Sequence, residues 1–215
     1  MNEIDDENQP EQKSVTKIWK DLLVSYFLNI KSYEDKISLM KKNLNQQSDF
    51  SLKSLFQYLD KTQKNFISLD DLIKFCQENN VLYEEKYLRR LIHNFDKDND
   101  FSLNFFELKK MILSANDQAL QEQPKEDKNS QNEKENPISD NIKKLFAEIL
   151  TEEISLIKAS NQIAKQIRES QYFTYYEGFI EIAGNDKYIT ENSLYSFLIG
   201  NNININQNEV HQLMY

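Results

Sequence analysis

Between residues 96 and 107 the chain reads DKDNDFSLNFFE, and oxygen-bearing side chains recur at alternate positions. Asp96, Asp98 and Asp100 hold positions 1, 3 and 5 of this run, Ser102 position 7, Asn104 position 9 and Glu107 position 12. A hard cation of calcium's size takes roughly six to eight oxygens. A tight loop can supply them from short side chains at positions 1, 3 and 5, a backbone carbonyl at position 7 and a two-oxygen carboxylate clamp at position 12. Leu103, at position 8, suits a short strand that pairs with a neighbouring loop. The run therefore points to a calcium loop held between two helices.

Position 6 departs from that pattern. The chain turns sharply there, usually with positive φ, which glycine adopts freely. Here the residue is Phe101. A side chain with a Cβ costs roughly 1–2 kcal/mol in that region, and about 1.4 kcal/mol is a tenfold change in affinity. The four acidic ligands remain, so the expectation is weakened calcium binding. The alternative is a loop that keeps the shape without the ion.

The rest of the composition narrows the class. Net charge is −9, which argues against nucleic acid as a partner and suits a cation binder. The N-terminal MNEIDDENQPEQ is acidic and polar, unlike a signal peptide. No run approaches the ~20 apolar residues of a membrane span. Cys76 is the only cysteine, which fits a reducing compartment, and a cytoplasmic or cytoskeleton-associated location is expected. Three glycines and three prolines leave few breakers, so the fold class reads as all-α. No phosphate-binding glycine loop, nucleophile elbow or zinc spacing occurs, and no enzyme activity is expected.

An internal repeat sets the organisation. LIKFCQENNV, residues 72–81, aligns with LYSFLIGNNI, residues 194–203, 122 positions later. The polar stretches 1–13 and 116–140 offer little to bury and are expected to be disordered. The predicted segments are a tail 1–13, a long helix 14–49, a helix–loop–helix pair 50–115, a linker 116–140, a second long helix 141–172 and an incomplete unit 173–215. Within the pair, a weaker loop DKTQKNFISLDD spans residues 60–71 and starts 36 residues before the strong one. It keeps Asp60 and Asp71 at positions 1 and 12, but positions 3 and 5 are Thr62 and Lys64. A lysine ammonium donates where calcium needs an acceptor, so this loop reads as a structural partner. Ile67 and Leu103 would form a short antiparallel bridge between the two loops.

In the second half, Ile189 takes the place of Ile67, and only Asn185 and Asp186 lie near ligand positions. That loop is not expected to bind calcium. Its partner loop would begin beyond Tyr215, which reads as truncation or as a genuine half-unit. Val210, Leu213 and Met214 are then expected to be partly exposed.

Each half opens with a long helix. Trp19, Leu23, Tyr26, Ile30, Tyr33, Ile37, Met40 and Leu44 follow alternating spacings of four and three, a heptad seam. The second helix carries Phe146, Ile149, Glu153, Leu156, Ser160, Ile163 and Ile167, with two polar interruptions. The seams imply either coiled-coil association, with a protein partner or a second copy, or amphipathic helices lying on the chain's own loop units. His93 and His211 are isolated, and Cys76 sits on an apolar stripe with Leu72, Ile73 and Phe75; all three read as structural.

The segment FDKDNDFSLNFFELKKMI resembles the calmodulin-like EF-hand superfamily. The wider pattern, a long helix ending in QSDF before the first unit and echoed as SQYF before the third, looks like EF-hand proteins of ciliated protozoa. The resemblance implies an EF-hand pair with a loop–loop β-bridge, and Ca2+ ligation by Asp96, Asp98, Asp100, Ser102 through its backbone, Asn104 and Glu107. It implies a calcium-binding regulatory or adaptor protein with one working loop. The alternative is a calcium-independent structural protein that uses degenerate EF-hands and long helices as scaffold.

Overall fold

The computed structural model describes residues 9–113 and 138–214, and among these the regular structure is helical apart from one β-bridge. The helices are α1 (Gln9–Asn45), α2 (Leu52–Leu59), α3 (Leu69–Glu78), α4 (Glu85–Phe95) and α5 (Phe105–Ile112). After the undescribed residues 114–137 come α6 (Asp140–Glu169), α7 (Tyr175–Ala183), α8 (Glu191–Gly200) and α9 (Gln207–Met214). Helix α1 begins inside the stretch expected to be a disordered tail and ends before the expected 49; residues 1–8 lie outside the described part. Most of the predicted linker 116–140 also lies outside it.

The chain divides into two compact units. One is Tyr33–Lys158, which takes the C-terminal part of α1, helices α2 to α5 and most of α6. Local chemistry starts and stops its short helices. The Ser51 hydroxyl accepts the Ser54 N–H at 3.2 Å and caps α2. Asn80, at φ 56°, supplies the left-handed residue after α3. Ile67 and Leu103 exchange both backbone hydrogen bonds, at 2.8 and 2.9 Å, in the antiparallel bridge that joins the two loops. Leu55, Leu59, Leu72, Phe75, Leu88, Leu91, Leu108 and Met111 turn inward from the four short helices. Leu44 of α1 and Ile142, Phe146, Leu150 and Ile154 of α6 complete that core. Each such side chain contributes about 1.5–3 kcal/mol by burial.

The other unit joins residues up to Ser32 with Ala159–Tyr215. Its core is Trp19 and Leu23 of α1, Ile167 of α6, Leu194, Phe197 and Leu198 of α8, and Ile203, Ile205 and Val210. Here an expectation is corrected. Val210 is fully buried rather than partly exposed, whereas Leu213 and Met214 are half-buried against the same core, partly exposed as expected. The first part of α1 supplies the apolar face that a fourth loop unit was expected to supply. Trp19 meets Phe173 edge-on with ring centroids 5.5 Å apart, and Phe27 meets Phe197 at 6.0 Å.

Much of the heptad seam of α1 is thereby buried within the chain. Trp19 and Leu23 enter one core, Met40 and Leu44 the other, and Ile37 is 1% exposed. Glu153, a polar interruption of the second seam, is buried too, and its carboxylate pairs with the buried Lys41 ammonium at 2.8 Å. Among the described residues, no helix is long and apolar enough to cross a membrane.

Candidate metal centre

The two loops of the first unit fold around their first carboxylates. Asp60 and Asp96 are 4% and 5% exposed. Asp60 accepts the backbone N–H groups of Lys64 and Asn65 at 2.9 and 2.6 Å. Asp96 accepts those of Asp100 and Phe101 at 3.3 and 2.9 Å. Wrapping the chain round an acceptor in this way drives positions 4 and 6 of each loop to positive φ: 55° and 64° at Gln63 and Asn65, 60° and 64° at Asn99 and Phe101. Asparagine tolerates that region, whereas phenylalanine is strained there. The Phe101 ring is 79% exposed, so packing returns little of the cost.

The twelfth position of each loop belongs to the first turn of the exiting helix. Glu107, 3% exposed, accepts the Lys97 N–H at 2.7 Å and the Asn104 N–H at 2.9 Å. The Asn104 side chain in turn accepts from the N–H groups of Phe106 and Glu107. This reciprocal cap starts α5 and turns the Glu107 carboxylate back across the loop.

Of the six residues singled out in the sequence, Asp96, Asp98 and Glu107 bring carboxylate oxygens within 4.8 Å of one another. Asp100 turns aside: its Oδ1 accepts from the Ser102 N–H and hydroxyl at 2.8 and 2.7 Å. Asn104 is engaged in capping α5, and Ser102 is buried. Three anionic hard oxygens converging in so small a space suit a divalent cation such as calcium. The charges register on one another. Partial desolvation, then the charges of Asp100 and Glu107, raise the pKa of Asp98. At Asp96 burial acts upward but is outweighed by N–H donors from Phe101, Asn99 and Asp100, which hold the pKa below its ordinary value.

Loop 60–71 meets the same problem with its own cation. The Lys64 ammonium donates to Asp71 Oδ2 at 2.7 Å and to the Ser68 hydroxyl at 3.1 Å. Asp71 also accepts from the Ser68 N–H and hydroxyl. Burial pushes the Asp71 pKa up, yet the Lys64 and Ser68 hydrogen bonds prevail and lower it. Sequence reasoning treated Lys64 only as a residue that repels calcium and missed that it bridges positions 9 and 12. The readable signal was a lysine seven residues before an aspartate that starts a helix.

Between α7 and α8 the loop has another form. Asn185 and Asp186 are exposed, and Ile189 is half-buried against the second core. Among the described residues, Ile67–Leu103 is the one isolated bridge, so Ile189 has no such partner. Cys76 is fully buried, and desolvation pushes its thiol pKa up to about 11. His211 is exposed, with Nδ1 2.8 Å from Glu191 Oε1.

Residues 49–113 match the family model of an EF-hand domain pair. The matched segment holds both loops, the four short helices and the bridge. The comparisons with curated proteins and with solved structures give no match to the chain.

Proposed function

Residues 49–113 are an EF-hand pair, a calcium-binding type of domain, and from that premise we propose that the chain is a calcium-binding regulatory or adaptor protein with one working loop, 96–107. The observation that carries this reading is the convergence of Asp96, Asp98 and Glu107, two of them buried. Among the described residues no lysine or arginine pairs with these three carboxylates, whereas Lys64 neutralises the corresponding part of the first loop. Asp100, the Ser102 carbonyl and Asn104 would complete the shell around an ion. The clustered hard anions support binding as the role.

A calcium titration of the full chain by calorimetry tests the reading. One calcium per chain is expected, towards the weak end of the ~10⁻⁷–10⁻⁵ M range of sensor loops. Glu107→Gln is expected to remove binding, because one oxygen of the clamp becomes a neutral amide. Two calciums per chain, or full binding by the Gln variant, would sink the assignment. A second reading, calcium-independent scaffold, is favoured by one feature: Lys64 stabilises the first loop without an ion. Absence of heat on titration would select it.

A further inference from the structure

Beside its first loop the Tyr33–Lys158 unit carries an open cleft of about 620 Å³ whose lining includes none of the three converging carboxylates. Small-molecule sites span roughly 300–1,000 Å³. Aromatic rings wall the cleft: Phe56 and Tyr58 from α2, and Phe105 from the start of α5. The Phe56 and Phe105 rings meet edge-on with centroids 5.6 Å apart. Phe56 is buried, but Tyr58 and Phe105 are only half-buried, so apolar surface is left for an occupant.

The polar groups of the cleft are chiefly donors. Lys53 and Lys61 both line it, and each ammonium donates without accepting. Among the described residues no carboxylate pairs with Lys53. Lys61 donates to Glu78 at 2.7 and 2.9 Å, and Glu78 stands outside the lining. The Tyr58 ring carries two ammoniums over it, Lys61 at 5.2 Å and Lys143 at 5.3 Å from its centroid. The lining carboxylate, Asp60, is 4% exposed and accepts the Lys64 and Asn65 N–H groups, so its charge is directed into the loop.

We propose that this cleft binds a small amphiphilic anion, with its acidic head on the Lys53 and Lys61 ammoniums and a planar apolar body against Phe56, Tyr58 and Phe105. Charge complementarity selects the head. Ammoniums at an aromatic wall suit a carboxylate, sulfonate or phosphate, whose charged hydrogen bonds are the stronger kind. A cation would meet like charge, and a neutral ligand would leave the ammoniums unmatched. The rings select the body, because aromatic side chains pack best on another flat ring in offset or edge-on contact. The inference does not depend on calcium at 96–107.

Two dyes with the same ring system test it on the full chain in the presence of a calcium chelator. One is 8-anilinonaphthalene-1-sulfonate; the other, N-phenyl-1-naphthylamine, lacks the sulfonate. Fluorescence titration gives both dissociation constants for the parent, Lys53→Gln, Lys53→Gln with Lys61→Gln, Phe105→Leu, and Lys187→Gln. Lys187 is an exposed lysine beside the exposed Tyr188 of the other unit and serves as control. The sulfonate dye is expected to bind the parent. Lys53→Gln should weaken it about three- to fivefold and the double variant about tenfold, while the neutral dye stays within about twofold. Phe105→Leu should weaken both dyes, and Lys187→Gln neither. Sulfonate-dye affinity unmoved by the Lys53 and Lys61 changes overturns the proposal. So does equal weakening of both dyes by those changes, a sulfonate dye that responds to Lys187→Gln instead, or a parent that binds no sulfonate dye. Lys53 and Lys61 are exposed, so their variants decide the matter even where Phe105→Leu loses its helical circular dichroism.

Discussion

Phe101 and Lys64 show how single side chains set the properties of two loops with the same backbone. Phe101 holds φ 64° with its ring in solvent. The sequence places the resulting cost on calcium affinity. The strained backbone belongs to the formed loop in which Asp96, Asp98 and Glu107 converge, so its cost also weighs on folding. Phe101→Gly is expected to stabilise the calcium-loaded Tyr33–Lys158 unit by about 1–2 kcal/mol and to tighten the calcium Kd by up to roughly tenfold. Chemical denaturation and calorimetry on one sample check both numbers. Unchanged affinity and stability would show that Phe101 takes another backbone shape or that its ring supplies compensating packing. At Lys64, substitution by Met leaves Asp71 buried without its ammonium, at an expected loss of about 1–2 kcal/mol. The pH behaviour has a definite sign. The folded Asp71 pKa is lowered, so its contribution is present above the unfolded value near ~4 and disappears as pH falls through the folded one. The parent should therefore lose more stability than Lys64→Met between neutral pH and the acid side of ~4. Parallel acid titrations of the two proteins would refute the role given to the lysine.

At the scale of elements, the long helices are the instructive case. The seam from Trp19 to Leu44 lies against both cores of the chain. Ile37→Lys is expected to lower the melting temperature by more than 10 °C and to leave the hydrodynamic size of the folded protein unchanged. Conversion of a larger species to a smaller one in light scattering would return the seam to self-association. The helix–loop–helix pair and its bridge were legible because each depends on local chemistry: alternating carboxylates in loop 96–107 and an apolar residue, Ile67 or Leu103, at position 8 of each loop. The partner of a seam was not legible, because the heptad pattern of α1 states only that an apolar stripe must be buried. For the same reason Val210 was misjudged, since nothing near it in sequence reveals that the first part of α1 completes its core. Glu153 read as a flaw in a stripe, and its partner Lys41 lies more than a hundred residues away. Of the six candidate ligands, the three whose carboxylates converge follow from spacing. The turning aside of Asp100 depends on a hydrogen bond to Ser102 that spacing does not encode.

Over the whole molecule, each compact unit carries its own reporter. The single tryptophan, Trp19, lies in one core and the single cysteine, Cys76, in the other. Among the described residues Trp19 Nε1 is buried without a hydrogen-bond partner, a penalty of about 1–3 kcal/mol in the smaller of the two cores. In a denaturant series the Trp19 fluorescence shift is expected at lower concentration than labelling of Cys76 by a thiol reagent, and calcium should delay the labelling. A single coincident transition for both probes would mean that the units unfold as one. The ammonium of Lys64 has a last consequence, for the dose–response curve. Two ion sites joined by a β-bridge can reinforce one another and respond over a narrow range of concentration. On the one-loop reading proposed above, the Lys64 ammonium beside Asp71 stands where a second ion would, and the pair has none with which to cooperate. Its occupancy should climb from a tenth to nine-tenths over about an 80-fold rise in free calcium, the span of a single independent site. On that reading the response to calcium is graded, and any sharp threshold would have to arise outside the pair.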